Sequence, residues 1–211
     1  MANPRISSET SIRELYTALA ATDAAQGTVA ASAVAAGMGV SLLVMVAALP
    51  ATRRGSIDDR KALTSATRAL LDAQRQLAAA IDVETTGRLM AAREMLQSSD
   101  MQRSTREAAI QVALRAAADV PLEIMRLSAH GLKQGQLVAA HGSRGASSDT
   151  ELAIALLRVA LVGARSSVEL KLSSLTDAAY TQAAVHEIAR LSEEGMTAAG
   201  VAESSLRVPP A

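Results

Sequence analysis

Between Asp23 and Arg53 the chain carries no charged side chain for 29 residues, and the inner stretch 29–49 is built almost wholly of Ala, Val, Gly, Leu, Met and Ser. A run of that length can span a bilayer as one helix. It can equally be the central helix of a soluble all-helical core, buried on every side. Composition favours the core. Eleven of the 21 inner residues are Ala, Gly or Ser, which contribute little to membrane insertion beside Leu, Ile or Phe. With two Tyr and neither Trp nor Phe, the chain also lacks the aromatic belt that anchors spans at the interface. Arg53 and Arg54 at the exit resemble a stop-transfer flank, so a single membrane span stands as an alternative at this point. A cleavable signal is not expected, because Glu9, Arg13 and Glu14 precede the run in a helical pattern rather than as a short basic region.

A core without Phe or Trp must be filled by Leu, Val, Ile, Met and many Ala, and small side chains let helices approach closely. Strand-rich folds draw on aromatic and β-branched residues for their pleated faces. The expected fold is therefore all-α, a single-domain multi-helix bundle over residues 1–211 with its core at about 8–205. Twenty-one acidic and 21 basic side chains cancel, leaving no basic field for nucleic acid. The absence of Cys excludes disulfide frameworks, zinc ribbons and thiol nucleophiles, and fits a cytoplasmic protein.

Periodicity divides the chain into helices. After a loose terminus at 1–7, Ser11 and Glu14 have the spacing of a capping box for a first helix carrying Ile12, Leu15 and Leu19. A polar turn at 21–28 leads into the uncharged helix, which Pro50 ends. From Asp58 to about Leu96, Leu63, Ala66, Leu70, Leu77 and Ile81 recur at helical spacing, enough for a helix of up to about 58 Å, with Gly87 as a weak point. A loop at 98–100 precedes a helix to about Ala118 that buries Ala109, Ile110, Ala113, Leu114 and Ala117. The pattern restarts at Asp119 with Pro121 near a first helical position and runs to about Ala140. A turn at 141–146 follows, then Ser148 and Glu151 spaced as a second capping box, a helix to about Leu172, and a last helix opened by Thr176 and Asp177.

Inventory removes several chemistries. His130, His141 and His186 have no carboxylate or Cys at metal-ligand spacing, and Gly-x-Ser-x-Gly and phosphate-cradling Gly-Lys loops are absent. The histidines read as surface residues. Asp82 lies in the apolar stretch Leu77-Ala78-Ala79-Ala80-Ile81-Asp82-Val83, where burial would raise its basicity toward that of a general base. Periodicity alone favours an exposed Asp beside Glu84 and Arg75 instead. Asp149 is explained by helix capping, although a helix start also attracts anions, and Arg144 just before it would add a bidentate donor fork.

Several short blocks follow one another in a familiar order. Met45-Val46-Ala47-Ala48-Leu49 is similar to a Met-Val-Ala-Asn-Leu segment, and Gly142 followed by Ser148-Asp149 to a Gly-Asn-x-x-x-x-Ser-Asp turn. Ala117-Ala118-Asp119-Val120-Pro121-Leu122 matches a helix-start motif, and Leu175-Thr176-Asp177-Ala178-Ala179-Tyr180 an Ile-Thr-Asp-Glu-Ala-Phe segment. Across 11–205 the chain thus resembles the cyclodeaminase/cyclohydrolase family, which comprises the C-terminal domain of formiminotransferase-cyclodeaminase and the stand-alone methenyltetrahydrofolate cyclohydrolases.

The resemblance implies a homodimeric helical domain with the small-residue helix central, no cofactor, no membrane partner, and a folate-type small-molecule substrate. It places Asp82, within Ile-Asp-Val-Glu-Thr, on the family's proposed proton acceptor. Gly27, Thr28, Arg144, Ser148 and Asp149 become the expected substrate-binding positions. The family's Pro-Thr-Pro-Gly-Gly-Gly loop is here 22–28 with a single Gly, and Ala48 and Ser143 stand where the family has Asn. Those departures define the alternative, a non-catalytic relative that keeps the helical dimer for binding a ligand or a partner.

Overall fold

The computed structural model describes residues 6–20, 27–52, 55–97 and 103–207, and the side chains of these except at 84–97 and 103–106. Among the described residues six α-helices follow one another: α1 Ile12–Leu19, α2 Gly27–Ala48, α3 Ile57–Gln97, α4 Arg103–His141, α5 Ser147–Leu172 and α6 Ala178–Arg207, with one 3-10 turn at Arg144–Ala146 before α5. No strand occurs among the described residues. The fold is the all-α bundle expected from the absence of large aromatics.

Close approach of small residues organises the bundle around α2. A Cβ at Gly39 would stand 2.8 Å from the Ala153 carbonyl oxygen and 2.9 Å from Leu157 Cγ, so α2 and α5 nearly touch there. Further along, Gly163 lies opposite Ser32 and Thr28, and α5 therefore runs antiparallel to α2. α3 does the same, joined through Gln74 Nε2 donating to Ser41 Oγ at 2.6 Å. α4 runs parallel to α2, with Gly131 near Val40 and Gly135 near Leu43. Leu43, Leu70, Leu77, Ile124, Leu132, Ile154 and Leu157 fill the shared core.

α2 is long and apolar enough to cross a membrane by length and composition, yet ten of its 22 residues, among them Val29, Ala36, Val40 and Val46, are buried within the bundle. Within the single chain that burial leaves one face of the helix open. Ala31, Met38, Met45 and Ala48 are exposed, with Ala35 and Leu42 half-buried between them, so an uncharged stripe at spacings of three and four lies open along the helix.

The terminal segment and two helix starts depart from the sequence reading. The terminus is packed from Ile6 onward, that side chain being 3% exposed. Ser148 and Glu151 form no capping box: α5 starts at Ser147, its N-cap is Ala146 without a side-chain bond, and Thr150 Oγ1 instead donates to the Ala146 carbonyl at 3.0 Å. The third is Pro121, which does not start a helix but lies inside α4. A proline there cannot bond the carbonyl four residues back, and Lys171 Nζ donates to that Ala117 oxygen at 2.7 Å. Lys171→Met is accordingly expected to destabilise the fold by about 1.5–3 kcal/mol, the worth of a lost hydrogen bond to a charged donor, measured as a lower urea midpoint at unchanged m. Ala109, Ile110, Ala113 and Leu114 are half-buried rather than buried, full burial in α4 beginning at Ala118. The segments 21–26, 98–102 and 208–211, which hold most of the expected polar turn, the expected loop and the tail, lie outside the described residues.

Candidate active site

Asp82 sits on the long, regular α3, half-buried, one residue after Ile81. Ile81 packs against the small cluster of Ile6, Ala18 and Ala30, which places Asp82 at the end of the bundle where α2 begins. Its carboxylate accepts two hydrogen bonds from Ser8, one from the backbone N–H to Oδ1 at 2.9 Å and one from the hydroxyl to Oδ2 at 2.8 Å. The carboxylate is thus held from both oxygens, while the side chain of Glu84, its expected charged neighbour, lies outside those described. Gly27 and Thr28 form the first turn of α2 at this same end, Gly27 half-buried near Leu19 and Thr28 exposed.

Arg144, Ser148 and Asp149 lie at the opposite end. The turn that carries them is pinned at Gly142, whose N–H donates to the Val138 carbonyl at 2.7 Å and where a Cβ would meet Val46 Cγ1 at 3.1 Å, near the exit of α2. Arg144 and Ser148 are exposed and Asp149 is half-buried in the first turn of α5, where a carboxylate complements the positive helix end. Asp149 is thus not the N-cap the sequence suggests. Within the chain the two groups of expected site residues are separated by the length of α2, about 30 Å at 1.5 Å per residue.

Two features of the second end were not visible in the sequence. His141, read as a surface histidine, places Nδ1 2.6 Å from Asp59 Oδ1 across 82 residues of chain. Asp59 is 4% exposed and is fixed in turn by a reciprocal capping pair with Ser56 at the start of α3. Burial pushes the Asp59 carboxyl up, but the hydrogen bonds from His141 and Ser56 outweigh it and leave the group below its ordinary value. The sign follows: a depressed folded-state pKa stabilises the fold above the unfolded value of 3.8 and loses that contribution as pH falls through the folded one. Asp59→Asn is expected to lower stability at pH 6, with the gap from wild type closing below about pH 3.8, read from urea titrations at stepped pH. The second feature is a shallow cleft of about 400 Å³ between the exit of α2 and the start of α3, floored by Ala48, Leu49 and Leu63 with Arg60 and Arg68 on its rim. Neither arginine side chain has a carboxylate partner among the described residues.

Two of the sequence blocks meet where α4 and α6 enter the bundle. Tyr180 donates its hydroxyl to Asp119 Oδ1 at 2.6 Å, Arg115 lies over the Tyr180 ring at 4.5 Å, and Asp177 Oδ1 accepts from the Tyr180 N–H at the start of α6. Burial, and then the Asp119 carboxylate, raise the phenol well above its ordinary range. This knot ties α4 to α6 and keeps Tyr180 neutral as a donor. A second tie below it is the fork of Arg126 on Glu187, both contacts at 2.8 Å.

The profile of the family described as formiminotransferase-cyclodeaminase matches residues 11–190. The chain is 27% identical over 166 residues to a methenyltetrahydrofolate cyclohydrolase of Methylorubrum extorquens, covering 78% of this chain and 80% of that one. It is 28% identical over 204 residues to the formimidoyltransferase-cyclodeaminase of Mus musculus, spanning 94% of its own length but only 37% of the mouse protein. The solved structure of a formiminotetrahydrofolate cyclodeaminase from Thermotoga maritima has the same fold, with a TM-score of 0.82 at 19% identity over 94% of this chain and 96% of that one. The profile match takes in α1 to α5 and both ends of α2, and with them Asp82 and the turn before α5. On that match, the chain belongs to the formiminotransferase-cyclodeaminase family.

Proposed function

We propose that the chain acts on a one-carbon derivative of tetrahydrofolate, with Asp82 as proton acceptor and Gly27, Thr28, Arg144, Ser148 and Asp149 binding the substrate. The observation that carries this reading is the family match over 11–190, which contains all six residues. In the hydrolytic direction a water oxygen bonds to the methenyl carbon of 5,10-methenyltetrahydrofolate while Asp82 takes its proton. The bond from that carbon to N5 then breaks, N5 keeps the electron pair and gains a proton, and the formyl group stays on N10. In the deaminating direction N10 attacks the carbon of the protonated 5-formimino group, its proton passes through Asp82 to the amino nitrogen, and the bond from the carbon to that nitrogen breaks, so that ammonia departs with the electron pair as the bridge closes. Either route passes a cationic amidinium-like centre, which a fixed carboxylate stabilises. Neither changes an oxidation state, so the proposal includes no cofactor.

The same reading includes a homodimer in the cytoplasm. The open stripe of Ala31, Ala35, Met38, Leu42 and Met45 on α2 is uncharged, and an exposed apolar patch of this kind fits a second copy. Two α2 helices paired antiparallel along it bring the Asp82 end of one protomer beside the Arg144 end of the other. Sedimentation equilibrium is expected to give twice the 21.8 kDa chain mass. Net charge of zero supports a partner set without nucleic acid.

Calorimetric titration with tetrahydrofolate derivatives separates this reading from that of a non-catalytic relative. Saturable binding is expected. Complete absence of binding at millimolar ligand favours the helical dimer without folate chemistry.

A further inference from the structure

The contact between Ser8 and Asp82 joins residues 74 positions apart, and the segment around Ser8 is built to place it. Ile6, two residues before Ser8, is 3% exposed and forms with Ala18 and Ala30 the cluster against which Ile81, the residue before Asp82, packs. A turn then closes around Ser8: Ser7 N donates to Thr10 Oγ1 at 2.7 Å, Thr10 N to the Ser7 carbonyl at 3.1 Å, and Glu9 N to Ser7 Oγ at 3.3 Å. Beyond it the Ser11 and Glu14 capping box starts α1 as the sequence suggests. An apolar anchor, a hydrogen-bonded turn and a helix cap thus hold the chain on either side of Ser8.

We propose that Ser8 is a positioning residue for Asp82, holding the carboxylate in one orientation by its backbone N–H and its hydroxyl; this rests on the assignment of Asp82 as proton acceptor. An Asp side chain turns about two bonds, and a clasp on both oxygens removes that freedom. A base held in a reactive orientation gains the advantage that misplacement by an ångström forfeits.

Steady-state turnover of the full chain and of Ser8→Ala and Ser8→Thr tests the role. Ser8→Ala is expected to lower kcat about tenfold or more with KM within about twofold, and Ser8→Thr, which keeps both donors, to return most of the rate. Because Ile6 and the α1 cap remain in both variants, melting temperatures are expected to stay close to wild type. Wild-type kcat in Ser8→Ala overturns the role while leaving the folate reading standing, and a raised kcat does so in favour of the segment as an inhibitory cover. A wild-type chain inert on both substrates overturns the folate reading and the role together. A readout without turnover checks the clasp itself: the Ser8 amide is expected to lose hydrogen-exchange protection in Asp82→Ala, and unchanged protection contradicts the contact.

Discussion

Asp82→Asn is expected to lower kcat/KM by about 10²–10⁴-fold, the range for removing a general base, while the protein stays folded. Asn has the shape of Asp, and its carbonyl oxygen can still accept from the Ser8 N–H, so the packing of Ile81 against the cluster of Ile6, Ala18 and Ala30 has no reason to change. What the amide cannot do is take a proton from the attacking water. The loss should therefore fall on turnover with little movement in thermal midpoint. Asp82 stands on a 41-residue helix whose preceding turns bury Ala73 and Leu77 at 1% exposure each, so the scaffold beneath it is rigid. Normal turnover in this variant removes Asp82 from the mechanism.

The second large effect is on the scaffold. Gly39→Val is expected to destabilise the fold by about 3 kcal/mol, the upper part of the usual range for overpacking, or about 6–12 °C in Tm for a chain of this size. The first obstacle to its Cβ is the Ala153 backbone oxygen at 2.8 Å, which no rotamer change can move, and Leu157 Cγ behind it is fully buried. Relief requires α5 to withdraw from α2 along the whole contact. Gly37, two residues earlier on the same helix, has nothing within 4 Å of the corresponding position, and Gly37→Ala is expected to be neutral or to stabilise by about 0.5–1 kcal/mol. Differential scanning calorimetry on the pair measures close approach separately from helix propensity.

Much of the helical order was legible because apolar spacing and caps are local signals. Leu63, Ala66, Leu70 and Leu77 announced the buried face of α3 and are all buried, and Ser11 and Glu14 announced the cap of α1. What misled was local chemistry overridden from a distance. Pro121 reads as a helix start, yet the orphaned Ala117 carbonyl finds Lys171 from α5, and no window along α4 contains that lysine. Ser148 and Glu151 have capping-box spacing, but the chain turns tightly at Arg144–Ala146 and α5 begins before it reaches them.

The candidate site was legible only in part, and for the same reason. Asp82 drew attention through its apolar surroundings, whereas its partner Ser8 lies in a stretch too short to show periodicity. Asp59 and His141 are each unremarkable in sequence, and only the antiparallel course of α3 and α4 brings them to 2.6 Å. The six expected site residues fall at both ends of α2 rather than in one pocket, a separation that a linear order of motifs does not reveal.

The most direct measurement of the central claim follows the methenyl chromophore in solution with the purified chain. The account predicts that 5,10-methenyltetrahydrofolate is consumed, or formed from the 5-formimino compound, at a rate proportional to enzyme and far above the uncatalysed one, and that Asp82→Asn removes that excess. A wild-type rate indistinguishable from buffer on both substrates would contradict it.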